Sequence, residues 1–283
     1  SGFQMTLPLA RRAIACIFYG DLLCALRNQV APYENVKGSA DRMVDLWVER
    51  LGRVLLAGKG YTSKEMKHTF PLIAKEFATI PVTRVPKVKV GVVGEIYVKY
   101  SSLGNNGLEK FLRTQDCEYM LPGIMGFVLF KIDNRIEDHH LYGGSLVKLL
   151  FCKALMKFCE RMETTLIEAV AAHPNFVPPT AFRHIKTLVK GVIGYGSKMG
   201  EGWLLTGEMV HIKNGNTKYP IIPGHEWSGT IVEVGKNVRD FKVGDRITSD
   251  VSLGCGECDE CRKGHYNLCP NREVIGNCYR AAP

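Results

Sequence analysis

Apolar residues recur at helical spacing through the first part of the chain. Between Arg11 and Leu26, the positions Ile14, Ile17, Phe18, Leu22 and Leu26 fall on one face of a 3.6-residue repeat, which predicts a helix. Asp41 to Leu56 and Ser63 to Ile80 repeat the pattern, the latter with Ser63 as the capping hydroxyl. The period then changes. Lys87 to Val98 is rich in valine and isoleucine and predicts a buried strand and its exit. A glycine- and asparagine-rich loop over 101–107 leads to a helix from Leu108 to Gln115, and Cys117 to Pro122 predicts the next strand. Strand, helix and strand at these lengths predict a right-handed parallel crossover. A long amphipathic helix follows from Gly144 to Ala172, stopped by His173-Pro174. Farther on, Thr230 to Val234 is a β-branched run closed by Gly235, and Val243-Gly-Asp is a turn into another strand.

These elements predict an α/β fold, with helices around a parallel, Rossmann-like sheet, in the first two thirds of the 283 residues. The 46% hydrophobic content is that of an ordinary globular chain. The net charge of +9 is unevenly spread: 27 basic residues face 19 acidic ones before residue 210, and 10 face 9 after it. No run of about 18 apolar residues occurs, so no membrane span is expected. Arg11-Arg12 before an apolar stretch resembles an export signal only until Asp21 interrupts it. The chain carries no motif that reads DNA or RNA. A membrane and a nucleic acid are therefore not expected as partners, and a reducing cytoplasm suits the ten cysteines.

Four of those cysteines, Cys255, Cys258, Cys261 and Cys269, form a C-x2-C-x2-C-x7-C set. Glycines relieve the loop, and four sulfurs can converge on a tetrahedron. Zinc takes such a set at roughly 2.3 Å per bond, without an open position for chemistry. An iron–sulfur cluster is the rival occupant and a disulfide pair the third alternative. The other cysteines, Cys16, Cys24, Cys117, Cys152 and Cys159, lack such spacing and predict core or neutral positions.

The segment Tyr219-Pro-Ile-Ile-Pro-Gly-His-Glu-Trp-Ser-Gly-Thr-Ile-Val-Glu-Val-Gly, the stretch Val238-Arg-Asp-Phe-Lys-Val-Gly-Asp-Arg-Ile-Thr and the cysteine loop together resemble the zinc-containing medium-chain alcohol and polyol dehydrogenases. The likeness covers residues 211–278. It implies a GroES-like β-barrel domain over 210–283, present in part, with the four cysteines as its structural zinc lobe. It also implies that His225 and Glu226 stand where the catalytic zinc is bound or flanked, beside an NAD(P) cofactor in the full-length enzymes. Thr206-Gly-Glu-Met-Val holds no cysteine where the family supplies one, and the chain ends at Pro283, soon after the cysteine loop. The expected site is thus incomplete, and no turnover is expected of this chain alone.

Residues 5–210 resemble another family, the 2-hydroxyacyl-CoA dehydratases and their activators. The resemblance rests on Arg84-Val-Pro-Lys-Val-Lys-Val-Gly-Val-Val-Gly-Glu-Ile-Tyr-Val, Leu141-Tyr-Gly-Gly-Ser and Lys198-Met-Gly-Glu-Gly-Trp-Leu-Leu-Thr-Gly-Glu-Met-Val. It implies a helical part over 1–87, an α/β part over 88–209, and a coenzyme A ester or dehydratase subunits as partners. The family's cluster-binding cysteine motif does not follow, so no iron–sulfur cluster is expected here. Two resemblances joined near residue 210 imply a chimeric chain. The chain carries three weaker candidates. Gly194-Tyr-Gly-Ser-Lys-Met-Gly is spaced like a nucleotide-binding turn but reads better as a simple turn. Asp138-His139-His140 predicts a solvated loop. Glu95, Asn105 and Asn106 lie after a predicted strand, where a ligand crevice or a plain turn could form.

Overall fold

The computed structural model describes residues 6–214, 228–235, 239–248, 252–271, 273–275 and 279–280. Contacts divide the chain into two units, Ser1–Thr217 and Lys218–Pro283.

The first unit is mostly helical. Helix α1 (Leu7–Val30) opens under the Thr6 side chain, which accepts from Leu9 N at 3.4 Å. It buries Phe18, Leu22 and Leu26, and it packs against α2 (Ser39–Leu56) and α3 (Ser63–Ala78). The cap of α3 is Thr62 rather than Ser63. Glu65 N donates to Thr62 Oγ1 at 3.3 Å while Thr62 N donates to the Glu65 carboxylate at 3.0 Å, a reciprocal capping box.

The Lys87–Val98 stretch departs from expectation. Only β1 (Lys89–Gly91) is strand, and none of its residues is fully buried. Its polar neighbours explain the early stop: the Glu95 carboxylate accepts from Tyr97 N and Val98 N and starts α4 (Ile96–Tyr100). After α5 (Leu108–Thr114), β2 (Glu118–Met120) pairs parallel with β1, Val90 opposite Tyr119. The parallel pairing agrees with the sequence. The broad Rossmann-like sheet does not form: among the described residues these two strands are the whole parallel sheet of this unit. Its small core is Val92, Leu112 and Tyr119.

Two long helices, α6 (Ile124–Tyr142) and α7 (Leu146–Ala171), complete the main core with α8 (Phe182–Leu188) and α9 (Gly202–Asn214). The fully buried Trp203 of α9 stacks edge-on against Phe182 and Tyr195, 5.8 and 5.4 Å between ring centres. Its indole N–H donates to Asn134 Oδ1 on α6 at 3.0 Å. On the same helix Asp133 and Glu137 receive Lys186 Nζ of α8 at 2.8 and 2.7 Å. Helix α9 passes residue 210 without a break.

Burial sets a pH dependence in this unit. Asp21 accepts from Ile124 N and Met125 N, both at 2.8 Å, and so caps α6. Its burial outweighs those bonds and pushes the carboxyl up to about 6. Burial likewise pushes Glu163 up to about 7, against one bond from Phe182 N. Both acids bind a proton more readily folded than unfolded. Stability is therefore expected to rise as pH falls from about 7 toward 4. Asp41 works oppositely. The Arg113 and Arg27 guanidiniums outweigh burial and hold it down to about 2, so its contribution is lost below its ordinary value of 3.8. The urea midpoint of the helical signal should be higher at mildly acidic than at neutral pH, and Asp21→Asn with Glu163→Gln should flatten the rise. A midpoint independent of pH would refute this account.

The second unit contains two small sheets among its described residues. Strands β3 (Ser228–Thr230) and β4 (Arg246–Thr248) pair antiparallel; the turn at Val243-Gly244 leads into β4 as the sequence suggests, whereas of the run expected as strand over Thr230–Val234 only Thr230 is strand. Strands β5 (Ser252–Leu253), β6 (Glu273–Ile275) and β7 (Tyr279–Arg280) form the other. A closed barrel is not present among the described residues.

Candidate metal centre

The loop between β5 and β6 gathers the four cysteines. Leu253 ends β5, and Gly254 turns so close to the sulfurs that a Cβ there would lie 2.5 Å from Cys261 Sγ and 2.9 Å from the Tyr266 ring. Gly256 and Gly264 hold positive φ of 79° and 84°, which lets the chain reverse on both sides of the short helix α10 (Asp259–Arg262). The Cys258 sulfur caps α10 by accepting from Cys261 N at 3.5 Å, and Cys255 N donates to Cys269 Sγ at 3.4 Å. The Glu260 carboxylate pairs with Lys263 at 3.3 Å and with the His265 ring at 3.1 Å, bracing the far side of the loop.

The four Sγ atoms of Cys255, Cys258, Cys261 and Cys269 all lie within 4.8 Å of one another. Four zinc–thiolate bonds of roughly 2.3 Å at tetrahedral angles place sulfurs at about 3.8 Å, so the gathered set needs only a small contraction. Cys261 and Cys269 are buried, and Cys255 lies at the exposed edge. Backbone amides of Glu257 and Cys258 hold the Cys255 thiol down to about 6, while burial pushes Cys261 up to about 12. The donor set and the N–H···S bonds fit zinc.

The remaining sequence candidates separate clearly. His225 and Glu226 lie outside the described residues. Thr206 to Val210 is part of α9. Asp138, His139 and His140 are helical, in the last turns of α6, not a loop; the two rings sit edge-on at 6.5 Å between centres. Asp138 accepts from Ser197 N at 2.8 Å, so an acid of the chain itself fills the glycine turn at 194–200. Glu95 is occupied in capping α4. The Asn105 amide donates to Val98 O at 2.9 Å and its oxygen accepts from Leu108 N at 3.0 Å. Asn106 holds φ of 54°. All three are turn and cap residues. Cys159 is a core residue, whereas Cys16 and Cys24 are exposed.

Sequence reasoning missed the Lys99–Glu208 pair. It joins α4 to α9 at 3.0 Å, with both side chains almost fully buried. Burial pushes the Glu208 carboxyl up, although the Lys99 ammonium opposes the rise. The partners stand 109 positions apart, and no short-range motif announces them.

A family model for the alcohol dehydrogenase GroES-like domain matches residues 201–281, less than a third of the chain. D-arabitol-phosphate dehydrogenase of Enterococcus avium is 50% identical over 76 residues, 25% of this chain and 22% of that protein. D-altritol 5-dehydrogenase of Agrobacterium fabrum is 42% identical over 69 residues, 24% of this chain and 20% of that protein. Sorbitol dehydrogenase of Halalkalibacterium halodurans is 51% identical over 59 residues, 20% and 17% of the two chains. The chain thus spans about a fifth of the length of these relatives. No solved structure matches it. These similarities support the dehydrogenase resemblance and bring no support to the dehydratase resemblance or to a fusion with that family.

Proposed function

We propose that the second unit is the structural-zinc lobe and part of the GroES-like domain of a medium-chain, NAD(P)-dependent alcohol or polyol dehydrogenase. The convergence of four thiol sulfurs within 4.8 Å carries this reading. Four thiolates fill every position of a tetrahedral ion, so the metal orders the loop and activates no substrate. Cys255, Cys258, Cys261 and Cys269 hold it, Gly254 keeps space beside it, and the amides of Cys255 and Cys261 stabilise thiolate charge. His225 and Glu226 are what the chain offers toward a second, catalytic zinc. A cysteine partner is missing from Thr206 to Val210, and Glu208 in that stretch is committed to Lys99. Polarisation of an alcohol oxygen and hydride transfer to a nicotinamide therefore belong to the longer relatives.

The test is cobalt substitution of the purified chain, read by absorption, together with a coupled NAD(P) assay on sorbitol and a simple alcohol. One cobalt per chain should give an intense thiolate charge-transfer band and tetrahedral d–d transitions, without nicotinamide reduction. Octahedral cobalt, or less than one ion per several chains, would remove the structural-zinc assignment. Steady reduction of NAD(P) by either alcohol would instead overturn the assignment of catalysis to the longer relatives alone.

A further inference from the structure

The tip of the α6–α7 hairpin presents apolar side chains that the fold leaves uncovered. Leu141, Tyr142, Leu146, Val147, Leu150 and Phe151 are all exposed, Val147 by 78% and Phe151 by 65%. Gly143 and Gly144, with positive φ of 75° and 131°, make the reversal between the helices. Cys152 is the first residue of α7 packed against the main core, six residues along the helix from Leu146, so roughly 9 Å of α7 precedes its entry into the core. An apolar cluster of this kind marks a surface made to meet something.

Charge indicates what it meets. From His139 to Cys159 the chain holds no acidic residue and three lysines, Lys148, Lys153 and Lys157. All three are exposed. Relative to Leu146 and Leu150, Lys153 and Lys157 continue the same helical stripe at i+7 and i+11. The exposed side of α7 therefore runs from an apolar tip to a basic collar. Lys198 adds to the collar, its ammonium 4.3 Å from the centre of the Tyr142 ring. The three neighbouring acids already have partners in the protein: Glu137 pairs with Lys186 at 2.7 Å, Asp138 accepts from Ser197 N at 2.8 Å, and Glu160, one turn beyond Lys157, accepts from Arg183 at 2.9 Å.

We propose that this hairpin tip is a peripheral docking site for an anionic lipid surface, with Leu146, Val147, Leu150 and Phe151 entering the headgroup–acyl boundary and the lysines meeting anionic headgroups. Apolar insertion and electrostatic attraction reinforce each other at such a boundary. The lysine stems can lie along the apolar layer while their ammonium groups stay in water. A second copy of the chain fits less well, because a two-fold pairing sets one lysine collar against another. No described helix is long and apolar enough to cross a membrane, and this mode requires none. It revises the sequence expectation of no membrane partner, which rested on the lack of a spanning run.

The experiment is flotation of the full, zinc-loaded chain with vesicles of phosphatidylcholine alone or phosphatidylcholine with phosphatidylserine. Phe151→Trp serves as an insertion probe. The chain should float with the anionic vesicles only, and the emission of the introduced indole should shift to the blue. Lys148→Ala, Lys153→Ala and Lys157→Ala combined should weaken binding roughly a hundredfold. Leu150→Ser with Phe151→Ser should weaken it and leave the helical circular dichroism unchanged, since both side chains are already in water. Binding without a blue shift would reduce the effect to adhesion of a basic protein and overturn the proposal. So would equal binding to neutral vesicles, absence of binding, or a concentration-dependent dimer that Phe151→Ser dissolves.

Discussion

Cys269→Ser is expected to strip the bound metal and unfold the second unit's cysteine loop, with residues 252–275 losing amide protection while helices α1 to α9 keep theirs. The expectation follows from where the stabilisation resides. The loop has little apolar core of its own, and Cys261 and Cys269 are the buried hydrophobic-class residues of its described part. Its order must come from the sulfurs. A four-thiolate zinc site contributes ~10 kcal/mol or more of folding free energy in free peptides, far above any hydrogen bond or surface ion pair in this loop. Cys269 is the informative position because it is fully buried, whereas Cys258 also caps α10 and serine could keep that cap. Hydrogen exchange with metal analysis reads the outcome, and a chelator applied to the parent chain should reproduce it. Gly254→Ala should move in the same direction, since its Cβ would meet Cys261 Sγ at 2.5 Å. Equal protection in mutant and parent, with metal retained, would show that the loop folds without its fourth thiolate.

Lys99→Met should destabilise the first unit by about 3–5 kcal/mol, because it leaves the Glu208 carboxylate buried without its counter-charge. The side chains of Lys99 and Glu208 are only 4% and 6% exposed. Glu208→Leu alone should be similarly costly. The double replacement should recover most of the loss, since two apolar groups need no desolvation compensation. Urea unfolding of the parent, both single variants and the double variant completes the cycle. Additive losses would mean that the two charges are independently hydrated and that the pair does not fasten α4 to α9.

The helices α1, α2 and α3 were legible because burial on one side imposes a 3.6-residue repeat that survives in the sequence. Helix α6 was not, and its own residues explain why. Asp133 and Asn134 lie on its core side, satisfied by Lys186 and Trp203 from far along the chain, so polar letters stand where an apolar stripe would be sought. The valine-rich stretch before α4 misled in the opposite sense. Its β propensity is real, but Glu95 offers two backbone amides a partner and the helix begins there. The metal loop could be read directly, because all four ligands fall within fifteen positions and their chemistry needs no distant partner. Lys99 and Glu208 find each other only through the completed fold.

Helix α1 touches α2 and α3, which follow it directly, and also β2, α6 and α7. On a ribosome those later elements do not yet exist when α1 leaves the exit tunnel. With chain growth of ~5–20 residues per second, the stretch from the end of α1 at Val30 to the end of α7 at Ala171 takes roughly seven to thirty seconds to follow it. Throughout that interval Phe18, Leu22 and Leu26 lack part of their final cover. The nascent chain thus offers a chaperone its binding surface early, and the order of synthesis, more than the finished fold, determines how long that surface stays open.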